Sequence, residues 1–241
     1  TMIHEQNVKP GRANKWLSPF VRRIAVSFES SLAYFKGKKV YYTGCPTHLR
    51  MSDKKKEDIL LAWKLSCDKV TFFVFGGSQG AHSINQVFLQ ASEELKKLMD
   101  FQVIHLSGEQ DHAMVSSQYR RLDIKALVYP FFDQMAEAYT VSDLVISRAG
   151  ALTITELALF QKRAILIPYP FAGAHQYENA KELQKNGYTM TIQEQALNSS
   201  VLLKSIQHLL SLPSEAIVKK QPELMPTDAS KHLAALALNL A

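Results

Sequence analysis

Val70-Thr71-Phe72-Phe73-Val74-Phe75-Gly76-Gly77-Ser78-Gln79-Gly80-Ala81 joins an apolar run to a cluster of glycines. Residues 70–75 form a β-branched and aromatic run of strand length. Three of the chain's ten glycines then follow within five residues. Residues 81–98 come next, with Ile84, Val87, Phe88, Ala91, Leu95 and Leu98 along one helical stripe. The order is strand, glycine loop, helix. A strand that is apolar without alternation is buried on both faces, which predicts a parallel sheet covered by helices.

Outward from this unit, strands are predicted at 24–28, 39–43, 101–106, 126–129, 144–147 and 164–168, and helices at 151–160, 176–186, 199–210 and 228–240. The alternation implies an α/β, Rossmann-like, doubly wound parallel sheet. The charged stretch 51–58, with Lys54-Lys55-Lys56 answered by Glu57 and Asp58, reads as a solvated linker or helix face and as the domain boundary. Residues 1–50 are too few to build their own core and read as the tail of a further domain; 51–241 reads as a nearly complete one. Thr1 in place of an initiator Met adds to the expectation that about one hundred residues precede the chain.

With 241 residues, 46% hydrophobic and 21% charged, the chain has an ordinary globular composition. No apolar stretch approaches the ~20 residues of a membrane-spanning helix. Cys45 and Cys67, the only two cysteines, make neither a disulfide framework nor a zinc site, and no metal is expected. The net charge of +6 points to an anionic partner: a nucleic acid, a membrane surface or a phosphorylated small molecule. No basic stripe with interleaved aromatics is present, so nucleic acid is excluded.

Gly76, Gly77, Ser78 and Gly80 sit where a loop feeds a helix N-terminus, an arrangement that suits a phosphate or a bare tight turn. Their spacing is neither G-x-G-x-x-G nor a Lys-bearing P-loop. In 147–156, Thr153 and Glu156 share a helix face. Thr-x-x-Glu is a capping-box pattern, while a carboxylate at a strand's carboxyl end also suits ribose hydroxyls, and both readings stand. Gln176 and Asn179 are i, i+3 neighbours, either solvent-facing or ligands for sugar hydroxyls. His4-Glu5-Gln6-Asn7 follows a strand and reads as an Asn-capped loop or as polar ligands.

Together, His4-Glu5-Gln6-Asn7 through Gly11 to Asn14, Gly44-x-Pro46, Gly76 to Ala81, Arg148-Ala149-Gly150-Ala151-Leu152-Thr153-x-x-Glu156 and Gln176-x-x-Asn179-Ala180 resemble, in that order, the MurG family of N-acetylglucosaminyltransferases in bacterial peptidoglycan synthesis. The resemblance implies a GT-B architecture, two Rossmann-like domains across a cleft. It implies an inverting transfer of N-acetylglucosamine from UDP-N-acetylglucosamine (UDP-GlcNAc) to the 4-hydroxyl of the muramic acid in lipid I, giving lipid II, with no cofactor. By similarity, Gly77 and Ser78 face the donor diphosphate with Ala151, Leu152 and Thr153. Glu156 takes the ribose hydroxyls, and Phe132 offers backbone groups to the uracil. Gln176 and Asn179 face the sugar, and Asn7 faces it from the opposite wall. Glu5, His48 and Arg50 are assigned to the acceptor or phosphate side, with His48 standing where relatives carry Arg. The general base is expected upstream of Thr1, so the chain alone is expected to be inactive.

The resemblance also places the protein at the cytoplasmic face of the inner membrane, near cell-wall synthesis proteins. Lys15, Trp16, Leu17, Phe20, Arg22 and Arg23 suit an anionic membrane surface, unless Trp16 and Phe20 pack on the sheet edge. Asp228 is expected to cap a final helix, with Leu233, Leu236 and Leu240 on one face, that returns to the N-terminal domain. Two alternatives are a non-catalytic UDP-sugar-binding or membrane-peripheral module, and a UDP-GlcNAc epimerase of the same architecture. The segment from His4 to Asn14 argues against the epimerase.

Overall fold

The computed structural model describes residues 1–37, 39–171, 175–213, 226 and 228–239. Two parallel sheets organise them. In the first, β1 (Met2–Glu5), β2 (Arg23–Val26) and β3 (Val40–Tyr42) lie in sequence order. Helix α1 (Arg12–Leu17) and a 3-10 turn (Glu29–Tyr34) connect them.

Helix α2 (Lys56–Ala62) leads into the second sheet, which contains β4 (Val70–Phe75), β5 (Phe101–Leu106), β6 (Lys125–Tyr129), β7 (Leu144–Ser147), β8 (Arg163–Leu166) and β9 (Thr189–Thr191). Their spatial order is β6-β5-β4-β7-β8-β9, all parallel. The chain runs outward from β4 to one edge, then returns to β7 and runs to the other. The gap between β4 and β7 is therefore the topological switch point, where open α/β sheets hold their ligands.

The connections are α3 (His82–Leu98), α4 (His112–Arg121), α5 (Met135–Val141), α6 (Ala151–Leu159) and α7 (His175–Gln184), followed after β9 by α8 (Ser199–Ser211) and α9 (Ala229–Leu238). The unbroken apolar run of β4 is explained by two cores. Phe72 and Val74 join Ile84, Phe88 and Leu95 of α3 and Ile206 and Leu209 of α8. Phe73 and Phe75 join Tyr139 of α5 and Ile154 and Leu157 of α6, in a cluster that also takes Val8, Phe28 and Leu49 from the first sheet and the linker. Burying each of these phenylalanines contributes about 1.5–3 kcal/mol relative to exposure.

Several expectations are corrected. Of the two readings of the charged stretch 51–58, the helix face holds from Lys56, where α2 begins and the ammonium meets Asp143 at 2.6 Å. The capping-box reading of Thr153 and Glu156 fails, because the N-cap of α6 is Gly150 and both residues lie within the helix. Asp228 makes no side-chain cap; it pairs with Lys231 at 3.3 Å. Trp16 and Phe20 do not pack on the sheet edge, being 82% and 82% exposed.

Helix α9 lies against the first sheet. Gly44, at φ +82°, leaves only 2.9 Å between a would-be Cβ and that of Ala229. Arg23 of β2 donates to the carbonyls of Leu236 at 2.7 Å and Asn239 at 2.8 Å, satisfying acceptors at the helix's carboxyl end. Leu240 lies outside the described residues, as do residues 172–174 of the loop before α7. No described helix is long and apolar enough to cross a membrane.

Candidate functional site

Strands β4 and β7 pair with Phe75 opposite Ser147, so the two loops that leave them start side by side at the switch point. The first loop contains three glycines with different duties. A Cβ on Gly76 would lie 2.2 Å from the Ala81 amide nitrogen, and one on Gly80, at φ +76°, would lie 2.3 Å from the Ser107 carbonyl. These two glycines serve the tight turn and its packing on Ser107-Gly108. Gly77, at φ +90°, faces open space beside exposed Ser78. Helix α3 then starts at His82 with no side-chain cap.

The second loop, Arg148-Ala149-Gly150, feeds α6, which also lacks a side-chain cap. The first amides of α3 and α6 thus lie at adjacent strand ends with the positive ends of both helix dipoles, an arrangement that favours an anion. On α6, Leu152 is 42% exposed and Ala151 is buried. Glu156, one turn on from Leu152, is only 6% exposed. Its carboxylate accepts from the Tyr139 hydroxyl at 3.0 Å and from Thr47 Oγ1 at 3.4 Å. Burial raises its pKa, outweighing the lowering effect of the Tyr139 and Thr47 hydrogen bonds and of nearby His48. His48 and Arg50 are exposed on the linker between the sheets. Phe132 stacks on Tyr129 with centroids 4.7 Å apart and meets Trp63 edge-on at 5.6 Å, which fixes the backbone after β6.

Asn179 is fully buried, and its Oδ1 accepts from the Val8 amide at 2.9 Å. Its Nδ2 donates to Asn7 Oδ1 at 3.0 Å and to the Ala149 carbonyl at 3.2 Å. Asn179 and Asn7 staple the loop after β1 to the loop before α6. Glu5 is also buried and is the hub of its own loop, accepting from the Asn7 amide at 2.9 Å, the Gly11 amide at 2.8 Å and Asn14 Nδ2 at 2.8 Å. Gln176 Oε1 accepts from the amides of Ala149 at 3.2 Å and Tyr169 at 2.9 Å. His175 brings Nδ1 within 2.7 Å of the Lys9 carbonyl and adds to the staple.

Thr47 and Tyr139, the partners of Glu156, escaped sequence reasoning. They lie 109 and 17 residues from it, on the linker and on α5, and no spacing pattern links them. Among the described residues no group of three or more His, Cys, Asp or Glu is placed to hold a metal ion.

Comparison with known proteins bears on this geometry. The glycosyltransferase family 28 C-terminal domain matches residues 71–234. The UDP-N-acetylglucosamine--N-acetylmuramyl-(pentapeptide) pyrophosphoryl-undecaprenol N-acetylglucosamine transferase of Thermodesulfovibrio yellowstonii is 40% identical over 215 residues, covering 88% of this chain and 59% of that protein. The enzyme of the same name from Halothermothrix orenii is 39% identical over 221 residues, covering 88% and 60%. The chain thus spans about three fifths of the length of these relatives. The crystal structure of Acinetobacter baumannii MurG superposes with a TM-score of 0.79 at 27% identity, covering 98% of this chain and 66% of that one. The fold is of the GT-B glycosyltransferase type, and the chain belongs to glycosyltransferase family 28, whose C-terminal domain it carries.

Proposed function

We propose that this chain binds UDP-GlcNAc and contributes the donor side of an inverting transfer of N-acetylglucosamine to the 4-hydroxyl of the muramic acid in lipid I, yielding lipid II and UDP. One observation carries the reading: two helices without side-chain caps begin at the β4/β7 switch point, with the carboxylate of Glu156 one turn along the second. The names of the relatives supply the substrate pair.

In this reading the diphosphate lies between Gly77-Ser78 and the amides of Ala151, Leu152 and Thr153. As the glycosidic bond breaks, negative charge grows on the leaving UDP. Preorganised amides and helix dipoles stabilise it without reorganising at the moment of reaction. Glu156 accepts from the ribose hydroxyls, and the backbone at Phe132 meets the uracil edge. Gln176 offers its NH2 group to the sugar. Asn7 and Asn179 act one step removed, by holding the β1 loop against the α6 loop. His48 and Arg50 lie toward the acceptor or a phosphate.

Residues 1–50 belong in this account to a membrane-side acceptor domain and 51–241 to the nucleotide domain, with α9 returning to the former. Exposed Trp16, Leu17 and Phe20, with Lys15, Arg22 and Arg23 near them in sequence, would meet the anionic cytoplasmic surface of the inner membrane, where other cell-wall synthesis proteins are potential neighbours. The test is calorimetric titration with UDP and UDP-GlcNAc against UMP and NAD. The reading expects saturable UDP binding, stronger than UMP and weakened by Glu156→Ala. A folded chain that binds no uridine nucleotide overturns it.

A further inference from the structure

Arg148, two residues before the α6 cap Gly150, makes a two-pronged ion pair with Glu194, in the 3-10 turn Glu194–Ala196 that follows β9. Its Nη1 meets Glu194 Oε2, and its Nη2 lies 3.2 Å from Oε1. The same Oε1 accepts from the Ser83 hydroxyl at 2.5 Å, and Ser83 Oγ in turn receives Arg148 Nη2 at 3.3 Å. Ser83 is the second residue of α3. Arg148 Nη1 also donates to the Ile167 carbonyl at 3.1 Å, and the Tyr169 ring covers the guanidinium at 5.5 Å. The ion pair is mostly buried, with side-chain exposures of 12% and 24%.

This cluster joins the first turn of α3 to the loop that starts α6. Those two ends need a fastening, because each carries about half a positive charge and two like charges at one sheet edge repel. The guanidinium is neutralised by Glu194, so it acts here as a strut and not as a phosphate ligand. Although burial works against ionisation, the Arg148 and Ser83 hydrogen bonds and the Arg148 charge hold the Glu194 carboxyl below its ordinary pKa, so the strut is ionised at neutral pH.

We propose that Glu194 and Ser83 are positioning residues for a nucleoside diphosphate: through Arg148 they fix the amide ends of α3 and α6 at the spacing that one diphosphate bridges. The inference rests on the donor-site reading above and adds a constraint specific to the diphosphate. A general stabilising role would affect nucleoside and nucleotide alike, whereas a spacing role affects only the ligand that touches both helices.

The experiment titrates the wild-type chain, Glu194→Gln and Ser83→Ala with UDP and with uridine, and records thermal melting for each. A charge-assisted hydrogen-bond pair is worth enough that Glu194→Gln should weaken UDP about tenfold and uridine less than twofold. Ser83→Ala, which keeps the ion pair, should weaken UDP about threefold. Equal losses for UDP and uridine would overturn the proposal in favour of a merely structural role. Tighter UDP binding by Glu194→Gln would overturn it differently, by making Arg148 a phosphate ligand that Glu194 restrains. Unchanged UDP affinity in both variants, with the wild type binding, defeats the proposal and leaves the donor site standing. A wild type that binds neither ligand defeats the donor-site reading, and the positioning role falls with it.

Discussion

Replacing Glu156 with Gln separates stability from ligand binding. The side chain is 6% exposed, and its carboxylate holds two protein hydrogen bonds, from Tyr139 and Thr47. Gln keeps the shape and an acceptor oxygen for Tyr139, so the packing survives. The sign of the stability effect follows from the pKa. Burial raises the Glu156 carboxyl above its ordinary value of 4.5, so the folded state holds the proton more tightly than the unfolded one. The unfolded state then binds fewer protons as pH climbs from about 4.5 through the raised value, and stability falls over that window. At pH 7 the ionised carboxylate is a cost that Gln removes. The variant should therefore melt at or above the wild-type temperature at pH 7, with the difference shrinking toward pH 4.5.

Binding should move the other way. A buried carboxylate that accepts from a ribose diol contributes about 1.5–3 kcal/mol, which amounts to a loss of about tenfold to one hundredfold in UDP affinity for the Gln variant. Melting curves at several pH values and calorimetry with UDP decide the matter. A variant destabilised by about 2 kcal/mol or more with UDP affinity intact would mean that Glu156 anchors α6 and binds nothing.

The glycine loop offers a paired comparison: Gly80→Ala, with its Cβ 2.3 Å from the Ser107 carbonyl at φ +76°, should cost about 3 kcal/mol or more in a denaturant titration. Gly77→Ala, strained at φ +90° but facing open space, should cost about 1 kcal/mol and act chiefly on UDP affinity. His105 is buried between Tyr119 at 2.8 Å and Asn85 at 3.0 Å, and burial pushes its pKa down to about 3 from 6.5. The unfolded state then binds the extra proton between those values, so stability should fall on acidification from pH 6.5 with a slope of up to about 1.4 kcal/mol per pH unit from this group. Melts of His105→Gln should show a shallower acid slope. The double substitution Trp16→Ala, Phe20→Ala should leave stability within about 0.5 kcal/mol while reducing sedimentation with anionic vesicles, since both side chains are 82% exposed. Unchanged sedimentation removes α1 from the membrane account.

The β4–α3 unit is legible because two independent signals agree, an apolar strand with no alternation and a long helical stripe; strand 144–147 is legible to its ends for the first of these reasons, and strand 101–106 for its β-branched and aromatic residues despite Gln102 and His105. Other elements gave no such signal. Helix α4 buries only Val115 and Tyr119 among Ser, Gln and Arg, and α5 is seven residues long, so neither shows a stripe. Helix α2 was hidden because its first turn, Lys56-Glu57-Asp58, is the end of a charge run. Strand β9 is a three-residue edge strand with nothing to alternate.

At the site, residue types pointed to the right loops but not to their partners. Asn7 and Asn179 were both singled out, yet their bond to each other spans 172 residues and is visible only once the sheets are assembled. Arg148 stood inside a quoted motif, while Glu194, which neutralises it, lay in an unremarkable stretch 46 residues on.

Hydrogen–deuterium exchange with and without saturating UDP tests whether one diphosphate sits across the starts of α3 and α6. A bridging diphosphate should slow amide exchange in peptides covering 76–83 and 149–156, with little change in α4 or α8. Protection confined to other segments, or saturable UDP binding with no protection at these two loops, would contradict it.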